Sequence, residues 1–274
     1  MPIQPVRAQS PDLAQPSQPS EAPSHAVSRL ALHAVARLRA TRLARSLKPF
    51  IARGSRKQRC EGCRVMHSHC LCALRPSVPT QAGVCLIMCD IEPLKPSNTG
   101  WLIADMVADT AAFGWARTAV DPALLDMLAD PQWQPYVVFP GEYVEPAERV
   151  VTEVVPVAGK RPLFVLLDAT WSEARKMFRK SPYLDHLPVL SLQPEQLSNY
   201  RLRRSKRDDH LCTSEVAALC LELAGEPHAA DTLSAYLDVF TSHYLNAKNS
   251  VRMDMEDAAH LRLRGLGAHG NVPA

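Results

Sequence analysis

No run of apolar residues in this chain approaches the ~20 needed to cross a bilayer as a helix, so no membrane partner is expected. No compact apolar segment followed by a small-residue cleavage site stands near the start, which argues against a secretory signal. No internal repeat is found. Acidic residues are missing from Arg29 to Arg59, a stretch that holds ten Lys and Arg. Arg201 to Arg207 forms a second basic cluster. Either cluster alone is compatible with a solvated face. Together they suggest an anionic partner, with nucleic acid preferred over a membrane surface. Eight cysteines in 274 residues do not make a small disulfide scaffold. Four of them crowd into residues 60–72, which favours metal binding in a reducing compartment, and hence a cytoplasmic location.

What is present is ordinary soluble composition, with 46% hydrophobic and 22% charged residues and a net charge of +3. The length suffices for one or two domains with a sizeable core. Residues 1–28, rich in Pro, Gln and Ser, are expected to be a disordered tail. An acid-poor, Arg-rich start is also a transit-peptide feature, but Asp12 and Glu21 interrupt it. Residues 29–58 are a basic helical segment, 59–78 a small cysteine module, 80–248 an α/β domain, and 249–274 a polar, loosely attached C-terminal tail.

Short apolar runs read as strands: VCLIMC at 84–89, ARTAV, YVVF, LFVLL at 163–167 and PVLSL at 188–192. Between the first two, Ser97 or Asn98 caps a helix with Leu102 and Met106 on its apolar side, ending near Gly114. Another helix begins at Thr213, and Leu233, Leu237, Phe240 and Tyr244 recur at helical spacing. Strands alternating with helices predict an α/β fold with a mostly parallel sheet and helices on both faces.

Cys60, Cys63, Cys70 and Cys72 follow a C-x2-C-x6-C-x-C spacing. Four thiolates in one loop can close a tetrahedral structural zinc site, and His67 or His69 can replace one cysteine. An iron–sulfur cluster and free redox thiols are the alternatives. Cys85, Cys89, Cys212 and Cys220 fall in strand or helix patterns and read as buried small apolar residues.

The stretch LFVLLDATWSE places Asp168 at the carboxyl end of a strand. Thr170 and Glu173 then fit a capping box, so a helix starts within two or three residues. Ligands bind at that edge in open α/β sheets, and a helix N-terminus favours negative charge there. Asp168 is therefore a candidate site residue; a turn-forming role is the plainer alternative.

DATW, with the cysteine cluster before it, resembles the signature of the DTW-domain family. Further blocks agree in order: Glu92, Lys95, Asn98, Thr99 and Gly100 in IEPLKPSNTG; FPGE with Pro140 and Gly141; Tyr200, Leu202 and Arg203 in YRLRR; and Thr213 with Glu215. The resemblance covers roughly 56–225. Family members often carry His where this chain has Cys89 or Asp90.

The resemblance implies a SPOUT-like domain, in which a knot is an option. It implies a tRNA-uridine aminocarboxypropyltransferase that takes S-adenosylmethionine as co-substrate and releases methylthioadenosine. Asp168 is then the candidate general base, or the group that holds the donor's α-ammonium. Thr170 and Trp171 stand beside it; Trp171 stacks on a base or adenine, or anchors packing. Asn98, Thr99, Gly100, Pro140, Gly141, Arg203, Thr213 and Glu215 are the candidate donor-binding residues, each with a plainer role as cap, turn or surface cation. Glu92 is a further site carboxylate. The basic segment and the cysteine module form the tRNA-binding arm. No protein partner is implied. The alternatives are a SPOUT-type RNA methyltransferase and a non-catalytic, zinc-containing RNA-binding protein.

Overall fold

The computed structural model describes residues 33–51, 57–192 and 211–269. The 1–28 tail, part of the basic segment, and the Arg201–Arg207 cluster with Tyr200, Leu202 and Arg203 lie outside the described residues.

Six strands form one sheet: β1 (Gly83–Met88), β2 (Thr110–Gly114), β3 (Trp133–Val138), β4 (Val150–Val151), β5 (Arg161–Asp168) and β6 (Val189–Leu190). Their order is β2-β1-β5-β3-β6-β4, and every pairing is parallel. Parallel strands need crossover connections, which place helices on the faces. Central strands are then buried on both sides, which is why GVCLIM and LFVLL read as continuous apolar runs rather than alternating ones.

The pleat divides each central strand between two cores. Val84, Leu86 and Met88 of β1 join Phe164 and Leu166 of β5 on one face. Cys85 and Ile87 join Leu163 and Val165 on the other. The first face is covered by α2 (Gly100–Met106), α5 (Thr213–Leu223) and α6 (Pro227–Asn249). The second is covered by α3 (Pro122–Ala129), through Leu124 and Leu128, and by α4 (Trp171–Arg179), through Ala174, Met177 and Phe178. The expected helices on both faces are thus observed.

Basic helix α1 (Ala34–Ala44) starts where the His33 ring accepts from the Ala36 N–H at 3.1 Å. It is shorter than the expected basic helix and buries only Ala34 and Val35. Buried Asp105 of α2 ties it down: that carboxylate meets His33 at 3.4 Å and Arg75 at 2.7 Å and accepts from the Tyr236 hydroxyl at 2.9 Å. One carboxylate therefore joins α1, the cysteine module, α2 and α6.

Three expectations need correction. The helix starting near Asn98 ends at Met106, not near Gly114. Thr110 breaks its path by donating its hydroxyl to the Val107 carbonyl at 2.7 Å, and residues 110–114 become β2 against β1. Consequently ARTAV is not a strand; the chain has left the sheet by then. The C-terminal segment is not merely a loose tail. It carries α7 (Ala258–His269), which packs on α6 with Leu263 and His260 buried. The His260 ring bonds His243 of α6 at 2.9 Å and Asp257 at 2.6 Å, and His243 bonds the His69 carbonyl at 2.8 Å. Those polar partners, not apolar periodicity, seat the helix, so a hydrophobic pattern does not reveal it. Among the described residues no helix is long and apolar enough to cross a membrane.

Candidate functional site

Asp168 closes β5, in register with Met88 at the end of β1. It is fully buried. A buried carboxylate is costly unless it is satisfied, and this one is. Its Oδ2 accepts from the Asn98 side-chain amide at 2.7 Å, and its Oδ1 accepts from the Thr213 hydroxyl at 2.8 Å. The N-termini of α2 and α5 converge on it, so both helix dipoles favour its charge.

Asn98 does two jobs. Its amide oxygen accepts from the Trp101 N–H at 3.3 Å, capping α2. Its amide nitrogen reaches Asp168 and also buried Glu92 at 3.3 Å. Glu92 in turn accepts from Lys95 at 2.5 Å. Thr99 is buried, and its hydroxyl accepts from the Ser214 N–H at 3.3 Å, a second tie between α2 and α5. Gly100 is dictated by space: a Cβ there would lie 2.7 Å from Asp168 Oδ2. So Asn98, Thr99, Gly100, Asp168 and Thr213, distant in sequence, form one hub at the carboxyl edge. Thr213 is its half-exposed member.

The residues after Asp168 serve the helix that follows. Glu173 accepts from the Thr170 N–H at 3.0 Å and from the Thr170 hydroxyl, which forms the expected capping box. The Thr170 hydroxyl and then its N–H hold the Glu173 carboxyl below its ordinary value. Trp171 is half-buried among aromatics: 5.5 Å from Phe139 in a stacked arrangement and 5.4 Å from Tyr143 edge-on. That is packing, and it fastens the FPGE loop against α4. At that loop, the Gly141 N–H donates to the Ser191 hydroxyl at 3.0 Å, and a Cβ on Gly141 would press within 2.9 Å of Val150. Pro140 and Gly141 therefore line the β3–β6 end of the same edge. Glu215 accepts from the Cys212 N–H at 2.8 Å, which caps α5.

Two contributors escaped the sequence reading. Ser191 had no signal beyond its place at the end of a strand. Cys212 was read only as a buried apolar residue; it caps α5, and burial pushes its thiol up to about 12. Cys89 stands where the family often has His. It is half-buried, its thiol donates to Glu173 at 3.3 Å, and burial pushes it up to about 11, so it is no stand-in for an imidazole base. Asp90 is held by Arg42 through two short bonds of 2.6 and 2.7 Å.

The cysteine module gathers all four thiols. The Sγ atoms of Cys60, Cys63, Cys70 and Cys72 lie within 4.8 Å of one another, with separations of 3.6, 3.7 and 3.6 Å for three pairs. A tetrahedral ion with metal–sulfur bonds of about 2.3 Å needs sulfur–sulfur edges of about 3.8 Å, so the cluster fits zinc. Hydrogen bonds from neighbouring thiols, Cys72 foremost, lower the Cys63 thiol to about 5. Burial pushes Cys70 up to about 11. His69 does not replace a cysteine: its ring bonds Ser68 and the Val251 carbonyl. The module is docked on the domain, since the Gly62 carbonyl accepts from Trp101 at 3.1 Å and from Arg75 at 2.7 Å.

The site and its zinc-compatible module therefore occupy one continuous stretch, and comparison with known proteins matches that stretch. The DTW domain family model matches residues 57–245. The chain is also similar to tRNA-uridine aminocarboxypropyltransferase 2 of Drosophila melanogaster, 25% identical over 202 residues that cover 70% of this chain and 77% of that protein. No solved structure matches. Hub, capping box and thiol cluster all fall within the matched region, and the chain belongs to the DTW-domain family.

Proposed function

We propose that this protein is a tRNA-uridine aminocarboxypropyltransferase. It transfers the 3-amino-3-carboxypropyl group of S-adenosylmethionine to N3 of a tRNA uridine, in the cytoplasm, on a SPOUT-like domain. The observation that carries the proposal is the hub, in which Asp168 joins the SNTG turn to the start of α5 at the edge where α/β sheets bind ligands. The name of the Drosophila relative supports the substrate class.

In this reaction uridine N3 loses its proton to solvent water and bonds to the donor's γ-carbon. The carbon–sulfur bond breaks with its electron pair going to sulfur, so methylthioadenosine leaves neutral. A sulfonium departs without acid help, so catalysis rests on positioning. Asp168 fits that demand as a positioning residue. It exposes no surface and already accepts two hydrogen bonds, so it acts through Asn98 and Thr213 rather than as a base touching N3. Pro140 and Gly141, held by Ser191, supply the wall for the donor's adenosine, and Thr170 and Thr213 offer hydroxyls at the open side. Zinc is assigned to the four cysteines as a structural ion.

The test is mass spectrometry of nucleosides from tRNA incubated with the protein and S-adenosylmethionine. The expected products are aminocarboxypropyl-uridine and methylthioadenosine. S-adenosylhomocysteine with methylated RNA would instead identify a methyltransferase, and no product with retained RNA binding a non-catalytic factor.

A further inference from the structure

The carboxyl edge of the sheet has another flank. Between α1 and the ends of β1 and β2 lies a cleft of about 210 Å³. Its walls include Arg42 and Arg45 from the α1 end, Met88 and Cys89 from β1, Asp90, and Trp115 just after β2. The cleft adjoins the hub. The Cys89 N–H donates to the Asp168 carbonyl at 3.0 Å, and Met88 is the register partner of Asp168. Because β5 lies between β1 and β3 in the sheet, this cleft and the Gly141–Ser191 edge stand on opposite sides of Asp168.

The cleft's charge is positive. Its acid, Asp90, is neutralised by the two-pronged contact from Arg42, and Arg45 is exposed beside that pair. Beyond Trp115 stands α4, whose Lys176 ammonium lies 5.8 Å from the indole centre. Arg175, Lys176, Arg179 and Lys180 at this helix are all exposed, while its acid, Glu173, is engaged in the capping box. The indole N–H donates to Ser181 at 3.0 Å, which fixes the ring in place beside Lys176, on the cleft that Arg42 and Arg45 also line. A fixed aromatic wall flanked by cations is the chemistry that holds a single-stranded nucleotide: the ring meets a base and the cations meet phosphates.

We propose that this cleft is the acceptor subsite, taking one nucleotide of a single-stranded RNA segment, its base against Trp115 and its flanking phosphates on Arg45 and Lys176. The proposal rests on the transferase reading for its substrate, and it places donor and acceptor on either side of β5.

The experiment measures binding of a tRNA transcript by the full chain and by an Arg45→Ala/Lys176→Ala variant over a range of salt, with S-adenosylmethionine affinity measured on the same samples by calorimetry. Both substitutions are at exposed positions, and a thermal melt checks the fold. The expected result is at least a tenfold loss of RNA affinity. The slope of log K against log salt should become shallower by about 1.4, from two phosphate contacts at ~0.7 each, with donor affinity unchanged. Wild-type affinity and slope in the variant would overturn the proposal. Loss of donor binding would overturn it too, by marking the cleft as part of the donor site. If the wild-type protein modifies no uridine yet binds single-stranded oligouridine with the same dependence on Arg45 and Lys176, the cleft stands and the transferase reading falls.

Discussion

Asp168 shows how one buried charge organises a site. Its two oxygens hold Asn98 and Thr213, and each of those begins a helix. Removing the carboxylate orphans two buried or half-buried donors, at about 1–3 kcal/mol apiece. Asp168→Ala is therefore expected to lower urea stability by about 2–6 kcal/mol and to abolish tRNA modification. Asn98→Ala and Thr213→Val should cost less singly. In double-mutant cycles with Asp168→Ala they should be clearly non-additive, as members of one network are. A direct base would behave differently: its removal would reshape the pH–rate profile while leaving stability near wild type. The position of Asp168 at a strand end was legible because an apolar run, a carboxylate and a capping box follow one another without a gap. Its burial was not legible, because the partners that make it tolerable come from residues 70 and 45 positions away.

At the scale of elements, the start of α4 depends on Glu173. Its carboxyl is held below the ordinary 4.5, chiefly by the Thr170 hydroxyl. A depressed carboxylate contributes stability that is fully present above its unfolded value and is lost as pH falls through the folded one. Wild type should thus exceed Glu173→Gln in thermal stability at neutral pH, and the gap should close as pH drops below about 4.5. A gap independent of pH would show that the charge is not the stabilising feature. The cysteine module makes a separate prediction. Purified protein should carry one zinc per chain, and a chelator or Cys63→Ser should lower the melting temperature and raise solvent access of Trp101, whose indole bonds Gly62. Metal analysis and tryptophan fluorescence quenching read both. The thiols were legible from spacing alone, since four cysteines within one short loop cannot lie far apart. Strand β2 was not, because TAAFG has no pronounced period and its assignment rests on pairing with β1.

On the scale of the whole molecule, two buried polar nodes fasten the periphery to the domain. Asp105 gathers α1, the cysteine module and α6, and the His243–His260 pair fastens α7 beside the same module. Leu263→Ala removes a buried side chain from the α6–α7 interface and should cost about 2 kcal/mol, measured by thermal or urea denaturation. Basic α1 is thereby held next to the carboxyl edge of the sheet rather than left as a free arm. On the proposed tRNA-modifying reading, the exposed cations of α1 and α4 meet RNA phosphates, and tRNA affinity should fall steeply with salt, by more than tenfold between about 50 and 200 mM. A salt-insensitive affinity would remove the basic surface from the binding site.

By itself the sequence determined the class of fold and the chemistry available, because strand runs, capping residues and thiol spacing are local properties read within a few residues. Its ordered motifs also pointed to the family. Only the tertiary structure decided what those residues do for one another. It made Asp168 a closed hub rather than an open carboxylate, made Trp171 a packing anchor, turned part of a polar tail into α7, and set Lys176 of α4 over the Trp115 ring. Each of these depends on contacts between segments far apart in the chain, and such contacts leave no periodic trace in sequence.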